Sequence, residues 1–96
     1  MSLHVIARFV ARQETLLEVR TQLSDLVDTI REDPGCIQCQ LVSDRNNERA
    51  FLFVEDWRDE KALETHLSDP EVIRAVEQVA PLLAENFLLD GYTIVR

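Results

Sequence analysis

Glycine is almost missing from this chain: its 96 residues hold two, Gly35 and Gly91. A G-x-G-x-x-G fingerprint for a flavin or nicotinamide needs three, so that way of holding a cofactor is excluded and no cofactor is expected. Basic residues are scarce as well, 10 against 18 acidic ones, for a formal net charge of −8. Binding to nucleic acid depends on clustered Lys and Arg against phosphates, so no nucleic-acid partner is expected. The acidic residues are spread over helix surfaces instead of forming a tail, which reads as a solubilising surface. No apolar run approaches the roughly 20 residues of a membrane-spanning helix, and no membrane partner is expected. The opening Met1-Ser2-Leu3-His4 lacks a basic region followed by an apolar stretch, so the expected location is the cytoplasm.

Cysteine and histidine are limited to two each: Cys36 and Cys39, His4 and His66. The C-x-x-C spacing invites a redox or zinc reading, but a zinc site would need two more ligands near it. The stretch Cys36-Ile37-Gln38-Cys39-Gln40-Leu41-Val42 reads as a strand. Three residues at about 3.3 Å each separate the two Cα atoms by roughly 10 Å, and their odd spacing sends the side chains to opposite faces. A disulfide needs Cα atoms within about 7 Å. Inert thiols are expected.

What is present is an ordinary globular pattern, 46% apolar, in a chain long enough for one domain, residues 1–96. Residues 3–11 alternate as a strand, with Leu3, Val5, Ala7, Phe9 and Ala11 on one side. Residues 14–31 form a helix whose stripe is Leu16, Val19, Leu23, Leu26, Val27 and Ile30. Asp33-Pro34-Gly35 ends it, glycine serving a tight turn. Strands follow at 36–43 and 49–57, joined by a polar turn in which asparagine can take positive φ. Asp59 caps a short helix carrying Ala62, Leu63, His66 and Leu67. Asp69-Pro70 opens another with Val72, Ile73, Val76 and Val79 on one face. A last strand spans 87–95, with a bulge at Gly91.

The order β-α-β-β-α-β, with its second helix in two pieces, predicts an α+β, ferredoxin-like fold with helices on one face of a four-stranded antiparallel sheet. One face of such a sheet is claimed by helices. Yet Phe51 and Phe53 point one way, Leu52 and Val54 the other, and the first strand is apolar on both sides. Burying one large apolar side chain is worth roughly 1.5–3 kcal/mol. A homodimer through the free sheet faces is therefore expected.

Glu32-Asp33-Pro34-Gly35-Cys36, then Phe51-Leu52-Phe53-Val54-Glu55-Asp56-Trp57-Arg58-Asp59, then Ala62-Leu63-Glu64-Thr65-His66-Leu67, in that order and spacing, resemble the antibiotic biosynthesis monooxygenase domain. The resemblance covers essentially the whole chain and implies a dimeric α/β barrel of two ferredoxin-like units. The family includes cofactor-independent oxygenases of quinols and polyketide phenols, haem-degrading enzymes and isomerases of small signalling sugars. This chain departs from it in places. Glu71 stands where many members carry a second histidine, and Cys39 where an aromatic residue is frequent. The asparagine of the haem-degrading branch is missing from Val5-Ile6-Ala7-Arg8-Phe9, and its haem-ligating histidine from Ile73-Arg74-Ala75-Val76-Glu77.

Three residues could carry chemistry. Trp57, the single tryptophan, is either a core residue closing a strand or a wall that stacks on a flat aromatic substrate. His66 is either a satisfied buried histidine or a general base. Glu55 shares a strand face with Phe53 and Trp57. Pairing with Arg8 or Arg58 would make it structural, and burial would raise its pKa and suit it to proton shuttling. Tyr92 and His4 read as packing or edge residues. The expected function is cofactor-independent oxidation, by molecular oxygen, of a small quinol-like or polyphenolic substrate that supplies its own electrons. An isomerase using His66 and Glu55 on a small carbonyl compound is the alternative, and a dimeric ligand-binding module without turnover the third.

Overall fold

The computed structural model describes residues 2–96. Strand β1 (Leu3–Val10) passes through a 3-10 turn (Gln13–Thr15) into α1 (Leu16–Glu32). Then come β2 (Cys36–Asp44), β3 (Asn47–Trp57), α2 (Glu60–Leu67), α3 (Pro70–Val79) and β4 (Leu88–Tyr92). The strands make one antiparallel sheet in the order β2-β3-β1-β4, the ferredoxin-like arrangement.

Each helix starts and stops for a local reason. Asp59 accepts the Ala62 N–H at 2.8 Å and so caps α2. Asp69 accepts the Glu71 N–H at 2.9 Å, and Pro70 opens α3 where a missing N–H costs nothing. At the end of α1 the Asp33 N–H reaches back to the Ile30 carbonyl, and Pro34 stops further winding.

The helix-facing side of the sheet holds the core. Val5, Ala7 and Phe9 from β1, and Phe51, Phe53 and Trp57 from β3, meet Val19, Leu23, Leu26, Val27 and Ile30 of α1. Phe9 packs edge-on to Phe53 and stacks on Phe87, with ring centroids 5.7 and 5.1 Å apart. In the two short helices Ala62, Leu63, Val72 and Val79 are buried, whereas Leu67 and Ile73 face water.

Several sequence expectations are corrected. The two cysteines lie on one face, not two. A register shift at Ile37 sets Cys36 opposite Trp57 and Cys39 opposite Glu55. That bulge inserts one residue between the cysteines and reverses the parity of the strand. No bulge occurs at Gly91, which pairs in register with Val5, and β4 stops at Tyr92 instead of running to Val95. Among the described residues none has positive φ, so neither the hairpin asparagines nor Gly35 use it. The hairpin is held instead by side chains: Asp44 accepts the Asn46 N–H and Asn47 accepts the Arg49 N–H.

The opposite side of the sheet carries no helix. Register aligns Gln38, Asp56, His4 and Tyr92 across all four strands, followed by rows containing Val54 with Ile6, and Val42, Leu52 and Leu88. Val42, Val54 and Leu88 are exposed there. His4 forms a 3.6 Å pair with Asp56, and Tyr92 is half exposed, so both belong to this face.

Gly35 is needed for close approach, not for a special dihedral angle. A Cβ there would lie 2.6 Å from the Ala62 Cβ of α2, with backbone close behind. Gly35→Ala is expected to destabilise the chain by about 1–3 kcal/mol through overpacking. Adding Ala62→Gly, itself worth about 1 kcal/mol in a helix, should return part of that loss. Denaturant midpoints of the two single variants and the double variant check this, and strictly additive losses would refute it.

Candidate functional site

The three residues singled out from the sequence come together where β3 ends. Extended backbone puts Glu55 and Trp57 on the same, helix-facing side of the strand. The α2 helix, seated on Gly35, brings His66 down onto Trp57. Trp57 has no exposed surface, and His66 and Glu55 retain 5% and 6%.

The indole is held from two directions. Its Nε1–H donates to Glu55 Oε1 at 2.7 Å, a short bond to a buried carboxyl. The imidazole of His66 packs against the ring, with centroids 4.6 Å apart at a tilt of 41°. His66 Nδ1 lies 3.2 Å from Asp33 Oδ2. In the tautomer that donates from Nδ1 to this carboxylate, Nε2 is the free ring nitrogen.

Asp33 is the site residue that sequence reasoning missed; there it only ended a helix. Its other oxygen accepts the Gly35 N–H at 2.9 Å, which locks the carboxylate in the turn and aims it at α2. The available signal was Asp-Pro-Gly, a side-chain-closed turn. Nothing local announces a partner 33 residues away.

Glu55 does not pair with Arg8 or Arg58. Arg8 contacts Glu85 and Arg58 contacts Asp59, both at the surface, because each projects away from the helix-facing side. Burial raises the Glu55 carboxyl above its ordinary range, opposed in part by the indole bond and by His66. The same burial, with the Glu55 and Cys36 charges, pushes the Cys39 thiol up to about 12. Cys36 moves upward for similar reasons, with desolvation first. Neither is an activated nucleophile.

Among the described residues no group of three or more His, Cys, Asp or Glu is placed to hold a metal, and no helix is long and apolar enough to cross a membrane. An open depression of about 310 Å³ lies one strand away, lined by Arg31 and residues 36–40. The indole itself is sealed. Chemically, the cluster offers an oriented base, an aromatic wall and a carboxyl biased toward its protonated form.

Comparison with known proteins is consistent with this architecture. The family model described as Antibiotic biosynthesis monooxygenase matches residues 2–78. A crystal structure of an antibiotic biosynthesis monooxygenase superposes with a TM-score of 0.91 at 26% identity, covering 98% of this chain and 99% of that one. PA3566 from Pseudomonas aeruginosa gives 0.88 at 29% identity over 99% and 95% of the two chains. The Synechocystis protein sll1783 is 36% identical over 70 residues, which are 73% of this chain and 48% of that protein. The match thus spans about half of that relative's length.

Because burial raises the Glu55 pKa, the folded chain keeps that proton to higher pH than the unfolded chain does. The stabilisation is complete below the unfolded value and is lost as pH rises through the raised one. Glu55→Gln keeps an oxygen for the indole N–H but cannot ionise. Its thermal stability relative to the parent should therefore improve steadily as pH rises above the ordinary carboxylate range. A difference that stays constant across a pH series of melts would contradict this.

Proposed function

The chain belongs to the antibiotic biosynthesis monooxygenase family; on that basis and on the arrangement around Trp57, we propose that it is a cofactor-independent monooxygenase of a small quinol-like or polyphenolic substrate. The observation that carries the reading is His66, aligned by Asp33 and packed on the one tryptophan. A base oriented in this way is what an electron-rich phenol requires. Nε2 of His66 takes the phenolic proton, and the resulting quinolate donates electrons to oxygen directly. One oxygen atom enters the ring carbon in place of hydrogen and the other leaves as water, with the quinol oxidised to the hydroxyquinone. Every electron comes from the substrate.

Trp57 supplies a flat wall for stacking. Glu55, held toward its protonated form and bonded to the indole, keeps that wall in place and offers a proton to the developing negative charge. With Trp57 fully buried, a ring can reach it only if the α2 layer moves aside, and closure afterwards keeps water from the reaction. The active assembly in this reading is a homodimer joined through the uncovered sheet faces, with Ile6, Leu52 and Val54 at the centre.

One observation favours a second reading. A sealed aromatic cluster is also what a ligand-binding or interaction module without turnover would present. An isomerase acting on a small carbonyl compound would use the same His66 as base and Glu55 as acid.

Oxygen uptake with a panel of menadiol-like quinols, under air and under nitrogen, separates these. Turnover is expected only in air, with saturable quenching of Trp57 fluorescence by the corresponding quinone. His66→Gln should lose about 10²–10⁴-fold in kcat, the usual worth of a general base, while quenching persists. Trp57→Phe should lower turnover per folded molecule. Undiminished activity in both variants would empty the site, and retained ligand without oxygen uptake would support the binding module.

A further inference from the structure

The uncovered side of the sheet is apolar along its middle and polar at one end. Its end row is Gln38, Asp56, His4 and Tyr92, one residue from each strand. His4 and Asp56 stand directly opposite each other on β1 and β3. Nδ1 lies 3.6 Å from Oδ1, an ion-pair distance but long for a hydrogen bond. The two side chains keep 34% and 23% of their surface. Two of their atoms are nevertheless shut off from water with no hydrogen-bond partner among the described residues, His4 Nε2 and Asp56 Oδ1. Buried polar atoms in folded proteins are nearly always paired, so two orphans in one residue pair need a reason.

The protonation state of the imidazole supplies it. An imidazolium turns the 3.6 Å approach into an ion pair and makes the pair neutral as a whole. A neutral imidazole leaves the Asp56 carboxylate without a matching charge. No other group on this side replaces it. Arg8 of β1 is held by Glu85, and Arg58 beyond the end of β3 by Asp59. From β4, Tyr92 offers only a hydroxyl, and Asp90, in the next row with Ile6, adds a further negative charge. Strand β2 brings the uncharged Gln38 and Gln40. The helices lie on the opposite side of the sheet.

A free chain tolerates the unmatched carboxylate, because water still reaches a quarter of its side chain. A second copy laid over the face removes that water. Covering a neutral ion pair costs far less than covering a lone charge, so the covered face favours the protonated imidazole. We propose that the His4–Asp56 pair links association through the uncovered sheet face to proton uptake, so that two copies join tightly with His4 protonated and loosen as pH rises through the histidine range. The sign follows from linkage: the state that binds the proton more tightly gains on the acid side and loses as the proton leaves. An isologous pair of faces brings two such pairs, so up to two protons are taken up for each dimer. The inference rests on the association of two copies proposed above and is independent of the chemistry at Trp57, where His66 lies buried under α2 on the other side of the sheet.

The test uses the full chain at pH 6.0 and pH 8.5. Sedimentation gives the dissociation constant, and mixing of differently labelled copies gives the subunit exchange rate where the dimer is too tight to dissociate by dilution. The parent is expected to dissociate, or exchange, about 10-fold more readily at pH 8.5. His4→Gln keeps a polar side chain but cannot match the carboxylate, so it should be loose at both values. Asp56→Asn removes the charge that needs matching and should be tight at both, and adding it to His4→Gln should restore tight association. A dimer whose constant and exchange rate are the same at both pH values overturns the proton link and leaves the face-to-face dimer standing. A pH dependence that survives in His4→Gln overturns it too, by placing the proton elsewhere. A monomer at both pH values and micromolar concentration overturns the association itself.

Discussion

Gly35 and Ala62 touch with no room between them, and a methyl group on Gly35 would fall 2.6 Å from the one on Ala62. That contact fixes the height of α2 above the sheet. The 3.2 Å separation of His66 from Asp33 and the 4.6 Å stacking of His66 on Trp57 both depend on it. A hydrogen bond weakens steeply beyond about 3.5 Å, so lifting α2 by half an ångström would uncouple the imidazole from its carboxylate. The turn is braced to hold this spacing. Asp33 bonds the Gly35 N–H with one oxygen, and the Gly35 carbonyl accepts the Arg58 N–H at 2.9 Å, tying the turn to the end of β3. One small residue therefore places three elements at once.

Around the indole, polar groups are few and each has a specific place. Glu55 is buried, so its charged form is disfavoured, and the indole N–H satisfies one of its oxygens. The neighbouring cysteines extend the same weakly polar region along β2. They turn inward together because the strand bulges at Ile37. The result is a buried cluster without an activated thiol, in which the histidine and two carboxyls stand around the indole.

Much of the fold was legible because its signals are local and repeated. The α1 stripe from Val19 to Ile30, the Asp59 and Asp69 caps, and the alternation of Phe51 and Phe53 each state a period or an end. The meeting of Glu55, Trp57 and His66 could be expected from shared strand parity and helix phase. What escaped reading was non-local. A bulge in β2 cannot be foreseen from Cys36-Ile37-Gln38-Cys39, because it is a mismatch with β3 and not a property of β2 alone. Asp33 reads as a turn residue until α2 is laid over it. Ile94 and Val95 look like strand, yet β4 ends at Tyr92, opposite His4. Arg8 and Arg58 were the partners expected for Glu55, but both project to the surface, where they meet Glu85 and Asp59.

The sheet order has a consequence for how the chain is made. Strand β1 is made before the other described strands, yet it is central, and one of its two neighbours is β4 at residues 88–92. At synthesis rates of about 5–20 residues per second, β1 waits some seconds with one edge unpaired and Phe9 without its stacking partner Phe87. Closing a loop that long is also entropically slow. Between the synthesis of β3 and that of β4 the chain can pair only three strands, in the order β2-β3-β1, and β1 stands as an exposed edge, the kind of surface on which chaperones act and nascent chains aggregate.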